Sequence, residues 1–130
     1  MVAQHSDLPD VVTRDVDLYI DNLDSLEVVM LLYREQARAF TADQVATRLR
    51  ISARVARREL ERMGTRGIAI LGDAFRFDGS DPERAAAVAR VAAVYGTRRI
   101  ELINYVASQT LKRIQSIADA FRIKKDNNDE

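Results

Sequence analysis

Apolar positions along the chain fall into six helical stretches and one short alternating stretch. Residues 1–10 are polar, contain Pro9 and show no period, which predicts a mobile leader. Val12, Val16, Tyr19 and Ile20 predict a short amphipathic helix beginning at Val11. Asp24, followed three residues on by Glu27, has the form of a capping box with Asp in place of Ser or Thr. The helix it opens buries Leu26, Val29, Met30 and Tyr33 and ends near Gln36, after which Phe40 suits a staple or a one-residue strand. Thr41 is a good N-cap for a helix over 42–50 that puts Val45, Ala46 and Leu49 on one face. Ile51-Ser52 breaks that pattern, and Ser52 caps a helix running to about Thr65 with Ala56, Leu60 and Met63 as its apolar stripe. Gly64 and Gly67 end it.

The alternating stretch follows. Ile68-Ala69-Ile70-Leu71 and Ala74-Phe75-Arg76-Phe77 flank Gly72-Asp73, which predicts a β-hairpin with a two-residue turn and with Ile68, Ile70, Phe75 and Phe77 over the helices. Ser80 or Asp81 then caps a helix with Pro82 in its first turn. Val88, Val91, Tyr95, Leu102 and Val106 predict one long helix from 82 to about 107, weakened at Gly96 by about 1 kcal/mol relative to Ala. Ser108 caps a last helix to Phe121 that buries Leu111, Ile114, Ile117, Ala118 and Phe121.

Composition narrows the class. At 130 residues, 47% apolar and 31% charged, the chain suits one globular domain with a core of its own. It has no cysteine, which excludes disulfides, thiolate zinc sites, iron–sulfur clusters and thiol catalysis; the lone His5 is too isolated to build a metal site, so no metal and no cofactor is expected. There is no glycine-rich phosphate loop, no HExxH and no GxSxG, and the spacing of Asp15, Asp17, Asp21 and Asp24 reads as a solvated helix surface, so no catalytic residue and no enzyme is expected. No apolar run reaches the roughly 18 residues of a membrane span, and the first twenty residues lack a signal-peptide core, which together point to a soluble, cytoplasmic protein without a membrane partner.

Twenty Lys and Arg balance twenty Asp and Glu, so the chain is not a uniformly basic coat for nucleic acid. The charge is nevertheless segregated. Residues 1–40 hold three basic and eight acidic residues, a balance of −5, and residues 41–80 hold eight Arg and five acidic residues, a balance of +3. Residues 81–130 hold nine basic and seven acidic residues, a balance of +2, and end in a polar tail over 124–130. The cations at 48, 50, 54, 57, 58, 62 and 66 are all Arg, which favours planar, bidentate recognition of phosphate or base edges. If Ala56, Leu60 and Met63 face inward, a turn of 100° per residue puts Arg54, Arg58, Glu61 and Arg62 outward with Arg57 on the flank. The plainer reading is a solvated face on which Glu59 and Glu61 serve as ion-pair partners.

The order helix, helix, tight turn, helix, hairpin is that of a winged helix-turn-helix. The run from Phe40 through Thr41, Val45, Leu49 and Ile51 to Ser52, then Ala56, Leu60, Met63, Gly67 and Ile68, resembles winged-helix transcriptional regulators of bacteria, broadly the MarR-like group, over about residues 24–79. The resemblance implies sequence-selective binding of double-stranded DNA by the second helix of the pair, as a dimer. On that reading Arg54 and Arg58, near the start of the helix, reach bases; Arg57 and Arg62 enter the groove on the same helix, Arg48, Arg50 and Arg66 suit phosphates, and Thr41 and Ser52, at the helix starts, and Arg76 complete the DNA-binding set. The chain departs from the family at the wing, whose tip Gly72-Asp73-Ala74 is short and acidic; Arg76 is its one cation.

The expected fold is therefore mainly α, a winged helix-turn-helix with a short two-stranded wing and a C-terminal helical extension. It divides into a leader (1–10), a winged-helix domain with its N-terminal helix (11–80), a C-terminal helical region (81–123) and a polar tail (124–130). Two readings of the C-terminal helices stand side by side. They either form a homodimer interface, placing two recognition helices roughly 34 Å apart on a palindrome, or fold back to complete the core with Tyr95 and Phe121 as anchors. The expected function is that of a DNA-binding transcriptional regulator with the 53–65 helix in the major groove; its operator, its effector and the sign of regulation are not encoded in these patterns. The rival is a winged-helix module that holds a protein partner and no DNA.

Overall fold

The computed structural model describes residues 8–70 and 72–128. The expected leader at residues 1–7, including His5, lies outside them, as do Leu71 and the side chains of Ile70 and of residues 123–128. The fold is mainly α. In order it comprises α1 (Asp10–Tyr19), α2 (Leu23–Arg34), α3 (Ala42–Leu49), α4 (Ala53–Thr65), β1 (Ala69–Ile70), β2 (Arg76–Phe77), α5 (Pro82–Thr97) and α6 (Arg99–Asn128). No helix among the described residues is long and apolar enough to cross a membrane.

The core is organised around α2. Leu26, Val28, Val29, Met30, Leu31 and Leu32 are all buried, so this helix is apolar around most of its circumference and packs against α3, α4, α5, α6 and β2. Its start is not at Asp24. Asn22, extended at φ −162, ψ −177, accepts from the Ser25 amide at 2.8 Å, and the Ser25 hydroxyl accepts from the Asn22 amide at 3.0 Å. Asn–Ser thus forms the reciprocal cap expected of Asp24 and Glu27, which leaves Asp24 in the first helical turn. The leader also ends earlier than residue 10, because Leu8 is core and the Pro9 carbonyl accepts from Val12 and Thr13.

The aspartates of α1 and the following loop are not simply solvated. Asp15 is buried and takes a bidentate bond from Arg90 of α5, with Nε–Oδ2 at 2.7 Å and Nη2–Oδ1 at 3.1 Å. Asp17 accepts from the Tyr105 hydroxyl at 3.0 Å, and Asp21 accepts from Arg66 at 2.6 Å. Hydrophobic periodicity could not show this, because each partner is more than forty residues away.

β1 and β2 pair antiparallel with Ala69 opposite Phe77 and Ile70 opposite Arg76. The expected two-residue turn at Gly72-Asp73 is therefore wrong, since residues 71–75 separate the paired positions. Phe75 is drawn elsewhere. Its carbonyl accepts from the Phe40 amide at 2.8 Å and its amide donates to the Phe40 carbonyl at 2.7 Å, so Phe40 is the one-residue strand. Ile68, Phe75 and Phe77 are buried, and Tyr33 meets Phe77 edge-on at 5.3 Å.

The C-terminal helices depart most from expectation. The helix that begins at Pro82 stops at Thr97, and Arg98, at φ −137, ψ 52, breaks it. The weak point was Gly96, beside which the chain turns, so that Val88, Val91 and Tyr95 of α5 and Leu102 and Val106 of α6 enter one core. A straight helix over 82–107 would be about 39 Å long and would carry its last apolar positions past that core. Ser108 caps nothing; it lies inside α6, which runs to Asn128 and takes in most of the expected polar tail. Leu111, Ile114, Ile117 and Phe121 are exposed at 58–70%, so Phe121 does not anchor the core of this chain.

Candidate functional site

α3 and α4 are joined by three residues. The Thr41 hydroxyl accepts from the Gln44 amide at 3.1 Å while the Gln44 side-chain oxygen accepts from the Thr41 amide at 2.9 Å, which fixes the start of α3. At its end Arg50 adopts the left-handed conformation, φ 59 and ψ 44, and the Ile51 amide reaches back to the Ala46 carbonyl at 3.1 Å. Ser52 then accepts from the Val55 amide at 3.1 Å and starts α4. Both expected hydroxyls, Thr41 and Ser52, are therefore engaged as caps, and both residues remain exposed.

α4 is two-sided. Ala56, Leu60 and Met63 are at most 2% exposed, seated against α2 and α3. Arg54, Arg57, Arg58 and Arg62 are exposed, so the structure brings these four expected residues to one solvent face. They are held differently. Arg58 donates through Nε at 3.2 Å and Arg62 through Nη1 at 3.3 Å to the same oxygen, Glu59 Oε2, to which Asn22 also donates at 3.4 Å. Arg54 and Arg57 form no ion pair among the described residues.

Glu59 is the residue that sequence reasoning misplaced. It is fully buried, its Oε1 has no hydrogen-bond partner, and the Arg58 and Arg62 guanidiniums, with the Asn22 amide, offset the cost of taking a carboxylate out of water. The signal was present in outline: on a helical projection position 59 lies about 40° from Met63, at the edge of the inward stripe.

The remaining expected cations are dispersed. Arg48 on α3 grips Glu35 with both terminal guanidinium nitrogens and, with Arg38, flanks the Phe40 ring, at 5.8 Å and 4.7 Å from its centroid. The bond from Arg48 holds the Glu35 carboxyl below the usual carboxylate range. Arg38, absent from the expected set, shares a shallow hollow with Gln44, Thr47 and Arg48. Arg66 is half-buried on Asp21 with its Nη1 unpartnered, which ties it to the body. Arg50 and Arg76 are exposed, Arg50 at the corner between α3 and α4 and Arg76 on β2. The arrangement offers α4 as a rigid cationic rod, with Arg50 at its N-terminal approach. Comparison of the chain with protein-family models, with curated proteins and with solved structures finds no match in any of the three.

Proposed function

We propose that this protein is a winged helix-turn-helix regulator of transcription, acting in the cytoplasm as a homodimer on double-stranded DNA. In this reading α3 and α4 are the helix-turn-helix, β1 and β2 the wing, and α4 enters the major groove. The observation that carries it is the division of α4 into a fully buried apolar side and a solvent side bearing Arg54, Arg57, Arg58 and Arg62. Each exposed guanidinium can grip a phosphate or a guanine edge with two parallel bonds. Glu59 holds Arg58 and Arg62 by one edge each and so limits their rotamers before DNA arrives. The wing contributes little, since Arg76 is its one cation and Asp73 stands in the segment between its strands.

A second reading, a winged-helix module that holds a protein partner, draws on the same Glu59, which neutralises part of the cationic face, and on the net charge of zero. Binding of fluorescent mixed-sequence duplex DNA across a salt series separates the two. Affinity that falls steeply and log-linearly with salt supports the first reading, and no binding even at low salt leaves the second. On a site selected from genomic fragments, Arg58→Ala is expected to cost about 1–3 kcal/mol and to relax discrimination, whereas Arg48→Ala weakens matched and scrambled DNA alike.

A further inference from the structure

α6 carries an apolar row that is half-buried against the body at Ile103 and Ala107 and uncovered at Ile100 and from Leu111 to Phe121. Ile100, Ala107, Ile114 and Phe121 recur every seven residues, with Ile103 and Ile117 three positions after the first and third of them and Leu111 and Ala118 beside them. This is the spacing of a coiled-coil seam. Ile100, Leu111, Ile114, Ile117 and Phe121 are 58–72% exposed, on the order of 600 Å² per copy, and a two-fold pairing would bury roughly twice that, the lower end of a specific interface. Water is a poor neighbour for such a surface.

Two further features say what covers it. Where α6 passes the start of α2, Leu23, Ala107, Thr110 and Leu111 line an apolar groove of about 440 Å³, rimmed by Asp24. Phe121 stands fourteen residues further along α6, close to four turns and about 21 Å, and so on the same side as that groove. A large exposed ring and an apolar hollow floored by an alanine thus lie on one seam, at equal distances either side of Ile114. The charges are placed in the same sense. Arg122 sits beside the ring, 74% exposed and in a loose 4.0 Å ion pair with Asp119 one turn back, and Asp24 sits beside the hollow.

We infer that the partner of this seam is α6 of a second copy, running antiparallel about a two-fold axis at Ile114, with each Phe121 seated in the other copy's Leu23–Ala107–Leu111 groove and each Arg122 beside the other's Asp24. A self-complementary pairing of this kind closes on itself and leaves no unpaired end. The parallel alternative sets Phe121 against Phe121 and Arg122 against Arg122, and leaves both grooves empty. The inference rests on the homodimer of the proposed function and gives it an interface and a direction; it is independent of DNA.

The test uses the full chain and sedimentation equilibrium. The unsubstituted protein is expected to be dimeric at micromolar concentration, and Phe121→Ala to raise its dissociation constant at least tenfold with the helical circular dichroism unchanged. Asp24→Arg and Arg122→Asp are each expected to weaken the dimer about tenfold, because the two-fold repeats every contact, and the doubly substituted chain to recover most of the loss. Disulfide trapping reads the direction, since the chain has no cysteine of its own. Ala107→Cys mixed with Phe121→Cys is expected to yield the crosslinked heterodimer, and Phe121→Cys alone to yield none. A monomer at all concentrations overturns the dimer itself. A dimer in which Phe121→Cys traps alone, or in which the charge exchange fails to recover affinity, overturns the antiparallel register and leaves the homodimer standing.

Discussion

Two helical surfaces of this molecule face water, and they are informative to different degrees. The outer side of α4 carries guanidiniums, which are at rest in solvent; their exposure alone does not demand a partner. The outer side of α6 carries Leu111, Ile114, Ile117 and Phe121, each of which gives up about 1.5–3 kcal/mol of transfer free energy by staying in water. A bare row of that kind is stronger evidence that something binds there than a charged row of equal length. The case for α4 comes instead from its opposite side, where the closed packing of Ala56, Leu60 and Met63 fixes which residues point out.

The same truncation on the two helices should therefore read out in different experiments. Leu60→Ala removes a fully buried side chain and is expected to cost about 2–5 kcal/mol of folding stability in a denaturant titration. Ile117→Ala, at a residue 59% exposed, is expected to change monomer stability by less than about 0.5 kcal/mol and to act on the monomer–dimer equilibrium. Equal folding losses at both sites would erase the contrast between the surfaces.

Glu59→Gln sharpens the contrast from the α4 side. It keeps the shape of the buried side chain and the acceptor for Asn22 while releasing the charge that draws in Arg58 and Arg62. Binding to mixed-sequence DNA is expected to tighten by about tenfold or less and its salt dependence to steepen; an unchanged salt slope would mean that Glu59 does not compete with phosphate.

Where α6 meets the body, Tyr105 donates to Asp17, and burial together with that bond pushes its hydroxyl up to about 12. The folded state thus holds a proton that the unfolded chain releases near pH 10, so this contribution to stability is full below pH 10 and lost as pH rises toward 12. Tyr105→Phe is expected to flatten the fall in melting temperature between those values, leaving the part that comes from Tyr95, whose hydroxyl is raised by burial and by Glu27.

The boundaries and caps of α3 and α4 were legible in the sequence because each depends on residues within four positions, such as Thr41 with Gln44 and Ser52 with Val55. The pairing of Phe40 with Phe75 and the Asp15–Arg90 bridge were not, since each joins residues by long-range packing that leaves no local period, and Glu59 showed only as a position at the edge of the apolar stripe of α4. For the C-terminal helices the apolar spacing was visible and what covers it was not. Apolar spacing says that a side will be covered, but the same spacing serves a core of the chain's own and a core shared with another molecule. Leu102 and Val106 serve the chain's own core, whereas Ile114 and Phe121 stay exposed on this chain.

Arg50 turns the corner between α3 and α4 with a positive φ that glycine adopts at no steric penalty and that costs an arginine roughly 1 kcal/mol. Arg50→Gly should accordingly make the protein slightly harder to melt, by less than that figure because glycine also loosens the unfolded chain, while removing one cation from the approach to α4. If such a sturdier protein grips a polyanion less well, the strained corner is a place where the molecule trades rigidity for reach.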